Sequence, residues 1–344
     1  MKVGIICCLD GAANSVRPAE IQRFLTARGH DVELLDTNEL KHDGRWIYRK
    51  AKFRNLLLSG TYRCNRTLER ARSETKLLEK EIKSRAYDVV ICEVAELSGV
   101  FSGELKCLKI FDCPTPWTAE LRESPEFGVS PEEIDELAVL ELEGYTSADY
   151  VAFHWHTYAD YVREHFYEGK NIITLNWGCH PKTRRAQFQD PPKIAFLGKL
   201  YHSWVDVPLL ERLVRASGSI DVYGIPEPED KEKLNYKGYA EPDVLVDYQF
   251  GLVTIAPRAK LKCRGFSAKH VEYASYGLPV LEPEWRDIPG LTDTSIPYNE
   301  DNFVEQVQRY SDREAWQEKS DESYELAKSL DWDITLQPLA DIIG

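Results

Sequence analysis

Nothing in this 344-residue chain approaches a run of roughly 20 apolar residues, which excludes an apolar membrane-spanning helix. None of the eight cysteines (Cys7, Cys8, Cys64, Cys92, Cys107, Cys113, Cys179 and Cys263) stands in a CxxC pair. That spacing argues against a zinc site, and most of these thiols fall in apolar, strand-like runs where they would be buried. The loop after the first apolar run reads GAANS and lacks the full GxGxxG, so a dinucleotide fingerprint is weak. Internal repeats and low-complexity segments are absent, apart from a two-fold recurrence of α/β units. The apolar N-terminus MKVGIICCLDG has no small-residue cleavage site and reads as a first strand, which gives the expectation of a cytoplasmic protein. Without secretion, the sequon Asn65-Arg66-Thr67 carries no meaning.

What is present is ordinary globular composition: 43% hydrophobic, 29% charged, 20 Gly and 18 Pro, with length for two domains that each have a core. The net charge of −14 is unevenly spread. Between Lys41 and Arg85 there are 14 Lys or Arg against five acids, leaving +9 there and −23 in the remainder. Trp46, Ile47, Tyr48, Phe53, Leu56, Leu57 and Leu58 are interleaved with those cations. Such a segment fits an anionic partner, a membrane surface ahead of nucleic-acid phosphates. It fits equally a helical hairpin whose apolar stripe packs inward.

Along the chain, periodicity predicts alternating strands and helices. Val3–Leu9 is an apolar run of the kind buried on both faces of a parallel sheet. A helix over 18–27 and a strand over 31–36 complete a βαβ unit. Further strands are expected over 87–93, 108–112, 149–156 and 172–177. Ser130-Pro131-Glu132-Glu133 opens a helix with a capping box. Asp112 ends a strand, where open α/β sheets place ligands, or else caps a turn before Pro114; Glu93 and Glu96 are the next acids so placed. His154 and His156 point the same way if both lie on a strand; a metal pair there has no third ligand. Residues 178–193 are polar and proline-bearing, as a domain hinge is.

The stretch around which the rest is organised is Gly265–Pro283, GFSAKHVEYASYGLPVLEP. Ser267 is a good N-cap, 268–276 suits a short helix, Gly277 can end it in the left-handed conformation, and Val280 starts a buried strand. The helix mouth offers unpaired N–H groups with Lys269 beside them, and Glu272 shares a face with Lys269. A diphosphate on that mouth with ribose hydroxyls on Glu272 is one reading; a surface helix with one Lys–Glu pair is the other. Arg258, Lys260, Lys262 and Arg264 precede it, either as a phosphate-binding loop or as one solvated edge of a strand.

The pattern Ser267-x-Lys269-x-x-Glu272-Tyr273-x-x-x-Gly277-x-Pro279-Val280 resembles the donor helix of GT-B glycosyltransferases, closest to family four (glycosyl transferases group 1) and its relatives. The family's second Glu, eight residues earlier, is Arg264 here. The resemblance implies an α/β fold of two Rossmann-like domains with a cleft between them: 1–180 for the acceptor (with 40–86 as a basic insertion), 181–330 for the donor, and a final helix over 331–344 crossing back to the first. It implies a hexosyltransferase that moves sugar from a nucleotide-diphosphate sugar to a hydroxyl of a lipid-linked or surface glycan, with neither metal nor cofactor. A modified DNA base as acceptor, or a non-catalytic sugar-nucleotide-binding protein, are the alternatives. Donor-side residues would be Gly198, Lys199, Tyr223, Gly224, Arg258, Lys260, Arg264, Gly265, Phe266, Ser267, Lys269 and Glu272. Gly11, Asn14, Ser15 and His156 would serve the acceptor, and Asp112 would be the base if the reaction inverts. The basic segment would hold the protein peripherally at a membrane.

Overall fold

Strands with no polar alternation must be covered on both faces. In the computed structural model, which describes residues 1–9, 15–39, 44–59 and 64–344 (side chains of 44, 45 and 59 excepted), each such run lies in a wholly parallel sheet. The elements begin β1 (Lys2–Cys7), α1 (Val16–Thr26), β2 (Asp31–Asp36), α2 (Gly44–Ser59), α3 (Arg66–Arg85), β3 (Val89–Cys92), β4 (Leu108–Cys113), α4 (Trp117–Glu123), α5 (Pro131–Ser147), β5 (Tyr150–Phe153), α6 (His156–His165) and β6 (Ile172–Thr174). They continue β7 (Ile194–Lys199), α7 (Val207–Ser217), β8 (Ile220–Ile225), β9 (Tyr236–Gly238), β10 (Phe250–Leu252), α8 (Lys260–Arg264), α9 (Ala268–Ser275), β11 (Val280–Pro283), β12 (Ile296–Tyr298), α10 (Phe303–Arg309), α11 (Arg313–Ser329), α12 (Trp332–Thr335) and α13 (Gln337–Ile343).

Two units result. One comprises Met1–Arg122, Gly128–Asn176 and Leu336–Gly344; the other comprises Glu123–Phe127 and Trp177–Thr335. The first sheet runs β2-β1-β3-β4-β5-β6, with Val3 opposite Val89 and Ile5 opposite Ile91. The second runs β12-β11-β10-β7-β8-β9. Strand order reverses between β1 and β3 in one and between β7 and β10 in the other. In open α/β sheets these reversals leave a crevice at the carboxyl ends of the strands.

Local chemistry sets the element ends. Ser130 and Glu133 form the expected capping box on α5, Asn65 caps α3 by accepting from the Leu68 N–H at 3.1 Å, and Gly277 (φ +63°) stops α9. The strand expected over 149–156 ends at Phe153, because extended Trp155 is the N-cap of α6. His154 and His156 therefore share no strand face. The expected final helix is interrupted after Thr335 and resumes at Gln337, and Leu336, Leu339 and Ile343 are buried. Among the described residues no helix is long and apolar enough to cross a membrane.

Candidate functional site

In the second unit, the crevice position is occupied by the ends of β7 and by the segment following β10. Tyr273 fixes α9 to the sheet there. Its buried hydroxyl accepts from the Leu197 N–H at 2.9 Å and donates to the Leu252 carbonyl at 3.2 Å, so one side chain ties the helix to β7 and β10. Gly251 sits directly beneath that ring, where a Cβ would collide with it. β7 and β8 end side by side in Gly198 (φ +149°) and Gly224 (φ +157°). A methyl on Gly224 would overlap the Gly198 carbonyl, and one on Gly198 would overlap the Lys269 side chain. Gly198 thus lets Lys269 lie across the end of β7, and Gly224 lets the end of β8 close up against Gly198.

The N-terminus of α9 carries Ser267 as its cap, accepting from the His270 N–H at 3.4 Å. Around it the charge is cationic. Burial, then repulsion from Arg286, Lys199 and Lys262, pushes Lys269 down to about 8, against the pull of Glu282. The same field, added to burial, holds His202 near 4 despite Glu126, so its imidazole is neutral at pH 7. His202 stacks on Trp204 with ring centroids 3.9 Å apart, and Lys262 Nζ lies 4.6 Å from the Trp204 ring centre. One turn along α9, burial raises the Glu272 carboxyl, with Lys182 opposing and Asp243 adding to the rise. That carboxylate makes no hydrogen bond or ion pair with the described residues. An excess of positive charge at a helix N-terminus, beside a carboxylate with open acceptor positions, suits a phosphate ester that also carries hydroxyls.

A buried brace underlies the mouth. Glu282 on β11 accepts from Arg286 and faces His270 Nδ1 at 2.9 Å, and Arg286 Nη2 donates to the Gly265 carbonyl at 2.7 Å. Burial pushes Glu282 upward, but Arg286 and His270 outweigh it and hold the carboxyl below its usual range. Sequence reasoning missed Arg286, His270 and His202. The available signal was Glu282, a carboxylate inside a strand buried at every position, which demands a buried partner.

The predicted donor-side residues fall into two sets. Lys199, Gly198, Gly224, Gly265, Ser267, Lys269 and Glu272 lie at the ends of β7 and β8 or on and before α9. Phe266 lies with them, its ring 5.4 Å from Trp177. Arg258, Lys260 and Arg264 are exposed, and Arg258 is spent on the Ser203 carbonyl at 3.1 Å. Lys260 and Arg264 lie on the short helix α8, with Arg258 just before it, and not on a strand edge; the helix turns Lys262, rather than its alternating neighbours, toward Trp204. The Tyr223 hydroxyl is engaged at 2.7 Å with Tyr248, which in turn donates to Asp221.

In the first unit, Asp112 ends β4 completely buried, with Arg17 of α1 on both oxygens at 2.6 and 3.1 Å. The guanidinium also reaches the carbonyls of Leu175 and Asn176, and His154 Nε2 lies 3.6 Å from Asp112. Burial alone would raise the Asp112 pKa, but Arg17 and His154 outweigh it and hold the value at about 2. With no exposure and Arg17 on both oxygens, the geometry suits an anchor for Arg17 better than the expected proton acceptor. Its neighbour Glu93 is the opposite case. Burial and the Asp112 charge raise its carboxyl well above the ordinary value, Arg17 opposing, and its enclosed Oε1 has no hydrogen-bond partner among the described residues. Glu93 follows β3 at the strand reversal. Ser15 is the N-cap residue of α1 and His156 the first residue of α6; Gly11 and Asn14 lie outside the described residues. Among the described residues no cluster could hold a metal ion.

No family model and no curated sequence matches the chain. Solved structures do. Sucrose-phosphate synthase from Thermosynechococcus elongatus aligns over 99% of this chain and 98% of its own, with TM-score 0.68 and 12% identity. Anabaena HepE in complex with UDP-glucose aligns over 100% and 99%, with TM-score 0.66 and 10% identity. A glycosyltransferase from Rickettsia africae aligns over 99% and 97%, with TM-score 0.62 and 13% identity. The chain therefore has the two-domain α/β fold of these proteins, GT-B, as the resemblance implied.

Proposed function

We propose that the protein is a glycosyltransferase that moves a sugar from a nucleoside-diphosphate sugar to an acceptor hydroxyl. The observation that carries this is the mouth of α9, where Lys199, Lys262 and Lys269 crowd an N-terminus one turn from the open carboxylate of Glu272. The diphosphate would lie against Ser267 and Lys269, and Glu272 would accept from the ribose hydroxyls. As the bond to the sugar breaks, negative charge grows on the leaving diphosphate. Preorganised cations and N–H groups stabilise that charge more than they stabilise the bound donor, so they lower the barrier, and no metal is required for this. The likeness to HepE, which binds UDP-glucose, supports a uridine nucleotide as the first donor to try. The acceptor we propose is a lipid-linked or surface glycan, because the basic segment 41–85 favours an anionic membrane as its partner.

A panel of sugar nucleotides tests the reading by thermal shift and by release of nucleoside diphosphate. We expect one donor to raise the melting temperature, Glu272→Ala to abolish the rise, and turnover to survive chelation of divalent ions. Tight binding with no turnover on any acceptor would favour a sugar-nucleotide-binding protein, and indifference to every donor would overturn the proposal.

A further inference from the structure

The exposed face of α2 has a particular order. Trp46, Phe53 and Leu57 are 64%, 59% and 70% exposed. At about 100° per residue, spacings of seven and four bring the three within roughly 40° of one another. Leu56 and Leu58 are exposed beside the C-terminal end of this stripe. Arg49 and Lys50 are exposed on its two margins and form no ion pair with the described residues, and Lys50 Nζ lies 5.7 Å from the Trp46 ring centre. The opposite face does the packing: Ala51 is buried, α2 lies against α3, and Arg54 is paired with Glu69. The inward stripe expected of a helical hairpin is therefore supplied mainly by α3, through Leu68, Ala71, Leu78 and Ile82; on α2, Ile47 and Tyr48 are half-buried, while Trp46, Phe53 and Leu56–Leu58 are left outside.

We infer that α2 is an interfacial helix, which lies in the plane of an anionic lipid surface with Trp46, Phe53 and Leu57 among the acyl chains and Arg49 and Lys50 at the headgroups. Charge complementarity chooses this occupant. Residues 44–59 contain five Lys or Arg and no acid, so the same helix of a second copy would set like charge against like. Nucleic acid would need cations along the middle of the face, and here the middle is apolar with the cations at its edges. The inference deepens the membrane part of the proposed function and does not depend on the donor site.

The test is flotation of the full-length protein with vesicles of phosphatidylcholine alone and of phosphatidylcholine mixed with phosphatidylglycerol, over a salt series. We expect binding to the mixed vesicles only. Phe53→Ser with Leu57→Ser should lower partitioning about tenfold or more at every salt concentration. Arg49→Glu with Lys50→Glu should abolish the preference for anionic lipid. All four positions are exposed, so these variants should keep the far-ultraviolet spectrum and the donor-induced thermal shift of the parent, which reports on the proposed reaction independently. Partitioning unchanged by the apolar pair would overturn the inference. So would failure of the parent to float with the mixed vesicles; retention of duplex DNA through Arg49 and Lys50, or a doubled mass in light scattering that Phe53→Ser with Leu57→Ser removes, would then name the other occupant.

Discussion

Lys269 is held between two demands: it is sheltered from water and surrounded by other cations, yet it stands where a phosphate would sit. Its depressed value near 8 gives the proposed donor interaction a direction with pH. A diphosphate beside it favours the ammonium, so above about pH 8 binding must take up a proton. Affinity should then fall as pH rises through 8, approaching tenfold per unit for one coupled proton. Calorimetry in buffers of different ionisation enthalpy reads the uptake directly, and pH-independent affinity from 7 to 10 would remove Lys269 from the phosphate site. In the first unit Asp112 and Glu93 are opposites: Arg17 and His154 hold the first carboxyl low, while burial and the Asp112 charge raise the second. Arg17→Met leaves a buried anion without its partner and should destabilise by about 3–5 kcal/mol in chemical denaturation, with Arg17→Met/Asp112→Asn recovering much of that. Because the folded Asp112 pKa lies below its ordinary 3.8, its contribution is present above that value and fades as pH falls toward 2. Glu93→Gln preserves shape. It should leave stability near the parent and reduce turnover without weakening donor binding, if Glu93 is the group that takes the acceptor proton.

At the scale of elements, α9 is positioned by parts that differ in how well sequence exposes them. Its cap, its length and its stop at Gly277 were legible, because each depends on neighbours within a few residues. So were most strands, since a run such as that around β1 has no other stable use than a sheet covered on both sides. Strand order was not legible, and strand order brings the loop after β7 beside the segment after β10. For that reason the alternation of Arg258, Lys260, Lys262 and Arg264 pointed to a loop or a strand, whereas Lys260–Arg264 closed into a helical turn. The brace of His270, Glu282 and Arg286 was equally hidden, being assembled across a helix, a strand and the turn beyond it. Asp112 was correctly placed at a strand end, but its chemistry was set by Arg17, 95 residues away. The glycine that seats Lys269 gives a sharp test at this level. Gly198→Ala imposes a side chain where φ is +149° and where the lysine stem already lies. Backbone strain of about 1–3 kcal/mol should accompany a loss of donor-induced thermal stabilisation that the strain alone does not account for. An unchanged thermal shift would mean that Lys269 need not cross the strand end.

For the molecule as a whole, the order of the chain and the membership of the units disagree in an informative way. The polypeptide leaves the first unit after Asn176 and builds the second, yet its last residues, Leu336–Gly344, belong to the first. Leu336, Leu339 and Ile343 are buried, and Arg28 of the same unit reaches Gln337 Oε1 at 3.3 Å. Burying each such aliphatic side chain is worth about 1.5–3 kcal/mol, so together they represent a large part of the ~5–15 kcal/mol that stabilises an ordinary domain. None of the donor-side residues lies in this segment. Ending the chain after Thr335 should therefore act on the two units unequally. The first should melt earlier, as a separate transition or as protein lost to aggregation. The second should keep its melting temperature and its response to the sugar nucleotide. Calorimetry with and without donor distinguishes the transitions. A single transition at the parental temperature would mean that the final helix contributes little to the first unit, and loss of the donor response would mean that the second unit cannot hold its site once the first is weakened.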